Sequence, residues 1–171
     1  MAINYIWHVN VNCSNLERSK AFYELLGFKS VWELDTEEIR LTLPSPKDGE
    51  ASFDEGLGAP GIKGKAHIMM LHPDEEQESR LDLIEWEHPR DPEPPYSHLV
   101  HLGINRICLG VDGIEDIQKE YKRLGDAGVE FVSPIVRLQD PSYENGEGAF
   151  VMMKDPDGTI IELMTTATIP D

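Results

Sequence analysis

HVNVNCSNLERSKAFYELLGF, residues 8–28, and RICLGVDGIEDIQKEYKRLGDAGVEFV, residues 106–132, state one pattern twice. Each is an alternating apolar stretch, a polar turn with capping residues, an amphipathic helix, a glycine and the start of another strand. A repeated pattern fixes architecture before any single motif does. Two copies make a domain of paired modules, because a solenoid needs more than two. The register is checkable. His8 to Arg106 spans 98 positions, Leu16 to Ile114 again 98, and Gly27 to Gly128 101.

Working outward, residues 6–11 alternate as a half-buried strand does. Ser14 and Glu17 have capping-box spacing, and Leu16, Phe22, Tyr23 and Leu26 fall on one helix face. Gly27 closes the helix as a left-handed C-cap. Strands are expected at 29–34, 39–43, 66–71 and 81–86. In the second copy, 105–111 reads as strand and Asp112 as N-cap with Glu115 three residues on. Ile114, Ile117, Tyr121 and Leu124 make the buried stripe, and Gly128 ends the helix. Residues 130–138 read as strand and 139–148 as a polar loop. Residues 149–154 and 159–164 read as strands joined by Asp155-Pro156-Asp157-Gly158, strong turn chemistry. Aligning Asp82 with Glu162 drops the offset from 101 to 80, so the first copy carries 21 extra residues. The Gly/Pro-rich stretch 44–64 has that length, and reads as a binding loop or a disordered insertion. Module one is expected at about 4–88, a Pro-rich acidic linker at 89–100, and module two at about 101–168, together one domain.

The 171 residues are 40% hydrophobic and 27% charged, with a formal net charge of −17. That suits a globular chain with a real core. The acidity argues against nucleic acid, which needs a basic surface, and against anionic membranes. No apolar run approaches the ~20 residues of a membrane span. The first residues lack a basic stretch followed by an apolar one, so a cytoplasmic protein is expected. Cys13 and Cys108 have neither metal-site spacing nor disulfide density, and read as reduced thiols. There is no Gly-rich phosphate loop and no Gly-x-Ser-x-Gly elbow.

His8 with NLERSKAFYELLGF, then LDLIEWEHP, GINRICLGVDGIEDI and KDPDGTIIELM resemble the vicinal oxygen chelate superfamily. It includes glyoxalase I, extradiol dioxygenases, fosfomycin-resistance proteins and bleomycin-binding proteins. The resemblance implies an α+β fold, two βαβββ modules forming a curled mixed sheet around one cavity. It implies a small-molecule ligand or substrate, a homodimer among the expected assemblies, and metal ligands from the first and last strands of each module. Those positions are His8, Asp82, Arg106 and Glu162.

Imidazole and carboxylates suit a first-row divalent metal. Guanidinium has no lone pair to give, and Arg106 stands where the family's metal enzymes usually carry His. Two readings follow. Either His8, Asp82 and Glu162 hold Fe, Mn, Ni, Co or Zn while Arg106 orients an anionic substrate group, or Arg106 takes the cation's place and the site is metal-free. With catalysis, Glu162 or Asp82 moves a proton and Arg106 stabilises an oxyanion. Without it, the protein sequesters its ligand. Glyoxalase-like or dioxygenase-like chemistry on an oxygenated or aromatic compound leads, and the metal-free binding protein is the alternative. Trp86 shares a strand face with Asp82 and Ile84 and is the aromatic expected at the ligand. Trp7, Trp32, Met69, Met70, Met152 and Met153 read mostly as packing, as do His67, His72, His88, His98 and His101.

Overall fold

In the computed structural model, which describes residues 5–59, 61–73, 79–95, 100 and 102–166, each sequence copy folds as its own four-stranded sheet with a helix on one face. The chain divides into two units, Met1–Glu93 and Pro94–Asp171. The α+β class and the doubled module are therefore as the repeat implies. No helix among the described residues is long and apolar enough to cross a membrane.

The first unit runs β1 (Val9–Asn12), α1 (Leu16–Leu25), β2 (Lys29–Asp35), α2 (Thr36–Thr42), α3 (Phe53–Gly56), β3 (Lys63–Leu71) and β4 (Ser79–His88). Its sheet order is β1-β4-β3-β2, with β1 parallel to β4 and β3 antiparallel to both neighbours. Strand alternation gives the sheet two unlike faces. On one, α1 covers Val11, His67, Met69, Leu81, Leu83 and Glu85; Glu85 accepts the Leu16 amide at 2.9 Å. Tyr23, Met69 and Leu83 are fully buried here, each contributing about 1.5–3 kcal/mol. His67 is buried on this helix side, with Ser30 Oγ at 3.0 Å from Nδ1 and Glu17 Oε1 at 3.2 Å from Nε2. It therefore ties α1 and β2 to β3, a packing role. The opposite face carries Asn10, Asn12, Ile68, Asp82, Ile84 and Trp86.

The second unit runs β5 (Ile107–Val111), α4 (Ile114–Asp126), β6 (Val136–Gln139), β7 (Glu147–Lys154) and β8 (Ile160–Thr165), a short 3-10 turn preceding β7. Its order, β5-β8-β7-β6, repeats the first. Ile117 and Leu124 of α4, with Ala149, Val151, Met153 and Ile161, make its core. The Asp155 turn forms as expected: Asp155 Oδ1 accepts the amides of Asp157 at 3.0 Å and Thr159 at 2.7 Å, and Gly158 takes φ +99°.

Four local expectations are corrected. Residues 39–43 are no strand but the end of α2. Asp35 caps it through the Glu37 amide at 2.8 Å, with Glu37 and Glu38 in the first turn and Arg40 in the last, charges that suit the helix dipole. The Ile39-Leu41-Leu43 alternation marked no buried face, since Leu41 and Leu43 are exposed. The α1 N-cap is Asn15, whose side chain accepts from the Arg18 amide, while the Glu17 carboxylate goes to His67. The α4 N-cap is Gly113, with no side-chain cap. The strand expected over 130–138 is interrupted: Phe131 makes a lone bridge to Met153, and β6 begins only after Pro134, which has no amide to donate. His98 and His101 lie outside the described residues.

The 21-residue insertion is organised around Arg40. Arg40 Nε donates to Asp54 Oδ1 at 2.8 Å and its Nη2 to the Ile62 carbonyl. The other Asp54 oxygen accepts the Gly61 amide at 2.8 Å. A capping box, Ser52 with Glu55, starts α3 between them. The Arg40 hydrogen bond is the largest cause holding the Asp54 pKa below 3.8. The clasp is therefore intact above the ordinary carboxylate range and lost as pH falls through the depressed value. The Gly61 amide shift should titrate with a midpoint below 3.8. Arg40→Ala should speed tryptic cleavage after Lys47 severalfold at neutral pH; unchanged cleavage would contradict the clasp.

Candidate functional site

The pairing register settles which residues of the two copies correspond. Asn10 pairs with Asp82 across β1 and β4, and Cys108 pairs with Glu162 across β5 and β8. Asn10 and Cys108 are 98 apart, the offset that relates His8 to Arg106. Each unit thus buries one carboxylate at one register of an interior strand, on the face away from its helix, with a basic side chain just before its first strand.

In the first unit Asp82 is buried. Arg80, two residues earlier on β4 and so on the same face, donates from Nε to Asp82 Oδ1 at 2.9 Å and from Nη2 to Oδ2 at 3.4 Å. The Arg80 guanidinium also lies over the Trp7 ring, 5.3 Å from its centroid. His8 Nδ1 stands 3.6 Å from Asp82 Oδ2, with 36% of its side chain exposed. Trp86, further along the same face, donates from Nε1 to Asn12 Oδ1 at 2.9 Å.

In the second unit Arg106 Nε donates to Glu162 Oε2 at 2.8 Å; the Glu162 side chain is 5% exposed and that of Arg106 37%. Arg106 presents the rest of its fork outward. Cys108 is an exposed residue with a free thiol, yet its sulfur is drawn down beside Glu162. Burial, the Glu162 charge and a hydrogen bond to that carboxylate push its pKa up to about 11, with Arg106 acting in the opposite sense.

Of the residues expected from sequence, the structure sets His8 beside Asp82 and Arg106 beside Glu162, with Trp86 on the Asp82 face; Arg80, the partner of Asp82, was not among them. Its signal was available: Arg80 has the parity of Asp82 on one strand. Among the other candidates, Met69 and Met153 lie in the cores, and Trp7 and Trp32 are exposed. A cleft of about 380 Å³ at the start of α4, lined by Asp112, Glu115, Asp116 and Glu147, contains none of the expected site residues.

The donor set does not fit a divalent cation. A metal needs carboxylate lone pairs that are free to bind it. Asp82 is already held through both oxygens by Arg80, and Glu162 through Oε2 by Arg106. A metal at either would face a fixed positive charge at close range.

A model of the Glyoxalase/Bleomycin resistance protein/Dioxygenase superfamily matches residues 5–163. Among solved structures, a glyoxalase-family protein from Bacillus cereus is 20% identical, with TM-score 0.70 over 96% of this chain and 97% of that one. A glyoxylase/bleomycin resistance protein/dioxygenase domain from Frankia is 17% identical, with TM-score 0.62 over 96% and 93%. The fosfomycin resistance protein FosX from Listeria monocytogenes, solved with Mn(II) and sulfate, is 13% identical, with TM-score 0.55 over 96% and 94%. At these identities the likeness speaks for the fold. No curated protein matches the chain.

The Cys108 environment makes its thiol sluggish. Iodoacetamide should label Cys108 in the native protein at pH 8 on the order of a hundredfold more slowly than in the urea-unfolded chain, read by mass spectrometry. Glu162→Gln should speed it and Arg106→Gln slow it. Equal native and unfolded rates would contradict the geometry.

Proposed function

Because the chain belongs to the Glyoxalase/Bleomycin resistance protein/Dioxygenase superfamily, we propose that it holds a small oxygenated or aromatic molecule without a resident metal ion. In the second unit Arg106 meets an anionic oxygen of a ligand; in the first unit Trp86, taken by itself, is an aromatic ligand contact. The observation that carries this reading is the Arg106–Glu162 pair at 2.8 Å. Glu162 fixes the guanidinium through Nε, which leaves the Nη edge as a planar, two-pronged donor for a carboxylate or enolate oxygen. A lysine would give a point charge and no such fork.

Sequestration fits this arrangement better than proton transfer by Glu162. That carboxylate already accepts from Arg106 and Cys108 and has little left to offer a substrate proton. A catalytic reading is carried by a different pair. His8, a third exposed and beside Asp82, has the make-up of a carboxylate-oriented acid–base group. Arg80 and Asp82 would then position His8. Superfamily members often form dimers, so a second copy of the chain belongs to the proposal. Cys13 and Cys108, neither of them in a disulfide, suit a reducing, cytoplasmic setting.

Arg106→Ala tests the reading. It strands the Glu162 carboxylate, and stability should fall by about 1–3 kcal/mol, less than for a wholly buried pair because Arg106 is over a third exposed. Benzoate, as a probe anion, should raise the melting temperature of the native protein and not of the variant. An equal rise in both would remove Arg106 from the site.

A further inference from the structure

The sheet face that bears Asp82 is floored by an aromatic ring, and the backbone beneath it is cut to fit. Gly64 of β3 pairs with Trp86 of β4. A Cβ at Gly64 would stand 2.7 Å from Trp86 Cε3, 3.2 Å from Cζ3 and 2.7 Å from the Glu85 carbonyl oxygen. The benzo edge of the indole therefore rests on bare backbone of β3. The opposite edge, Nε1, donates to Asn12 Oδ1 on β1 at 2.9 Å. With β4 between them, the ring bridges three strands and lies along the sheet, pinned at both edges. The residue is only half-buried, so part of it remains accessible.

The second unit repeats the device with a different residue. Ile68 pairs with Asp82 and Met152 with Glu162, so Gly148, four residues before Met152, is the counterpart of Gly64. A Cβ there would stand 2.7–2.8 Å from Cγ, Cδ2 and Cε2 of Tyr143. Here too a ring lies against a glycine, although it comes from a loop and not from the last strand. Core packing alone does not ask for this: a larger residue at 64 with a smaller one at 86 would fill the face as well. A flat ring held from both edges has lost its rotamer freedom in advance, which is what stacking on a ligand requires.

We infer that Trp86 is a preorganised stacking platform selecting a planar π-system in the ligand, with Asn12 and Gly64 as its positioning residues. This rests on the reading of Trp86 as a ligand contact and adds the chemical class that it selects. Saturated rings of the same size and charge gain burial at Trp86 but not the face-to-face contact of one π-system on another.

The test uses the full chain with ¹⁵N-labelled indole and arginine side chains. The probes are 2-naphthoate and its saturated counterpart, decalin-2-carboxylate. The Trp86 Nε1–H resonance, identified by its loss in Trp86→Leu, should respond to 2-naphthoate with an affinity about tenfold above that for the decalin acid. Asn12→Ala should bring that ratio close to one in a protein that still folds, and Asn12→Asp, which keeps the acceptor, should restore it. A merely structural Asn12 would change stability without changing the ratio. Equal affinities, a ratio untouched by Asn12→Ala, or a silent Trp86 resonance with both probes at about 10 mM would each overturn the platform. The Arg106 Nε resonance reports separately. If it moves while Trp86 shows no preference, the platform falls and the anion anchor stands; if Trp86 prefers the planar acid while Arg106 is silent, the anchor falls alone.

Discussion

A carboxylate buried on an interior strand costs several kcal/mol unless a cation or strong donors stand beside it, and this chain places one at the same register in both halves. Asp82 and Glu162 are each buried on the face their helix leaves uncovered. Much of the local arrangement answers that constraint. In the first unit the counter-ion comes from β4 itself, Arg80, steadied by Trp7. In the second it comes from just before β5, Arg106. The repeats share the problem and solve it differently, because His8 occupies the position of Arg106 and Ile160 that of Arg80.

The consequences reach the chemistry. Where two carboxylates are already matched by two guanidinium groups, a divalent cation adds charge that nothing is left to balance. FosX was solved with Mn(II), and its likeness to this chain lies in the fold. Fold and site chemistry separate at this point, as they do across folds that host many reactions. The same faces carry aromatic rings laid on glycines, Trp86 on Gly64 and Tyr143 on Gly148.

Much of the architecture was legible because it was written twice. The offset of 98 between His8 and Arg106 recurs between Asn10 and Cys108, while the match of Asp82 with Glu162, at an offset of 80, came from the family resemblance, and the strand pairing puts both carboxylates at one register. The Asp155 turn was equally plain, since Pro and Gly leave few alternatives. Residues 39–43 misled because alternation stands for a strand only where one face is buried, and there the acidic first turn of α2 outweighed it. The caps were missed by one residue at both helices: at α1 Asn15, next to Ser14, takes the Arg18 amide, and α4 starts at Gly113 with no side-chain cap at all. Arg80 was missed for another reason: attention went to metal ligands, and an arginine two residues from a candidate ligand reads as surface until the strand's parity is followed through. Gly64 was unreadable as a cradle, because nothing in sequence shows that an indole 22 positions away will lie on it.

The account turns on guanidinium groups standing where a metal would otherwise balance the carboxylates. The direct test is elemental analysis of protein prepared without a histidine tag, equilibrated with excess Mn, Fe, Co, Ni or Zn and then desalted. The account predicts that no metal is retained at stoichiometric level, and that none shifts the melting temperature. One equivalent of any of them, bound and stabilising, would contradict it and return His8, Asp82 and Glu162 to the role of ligands.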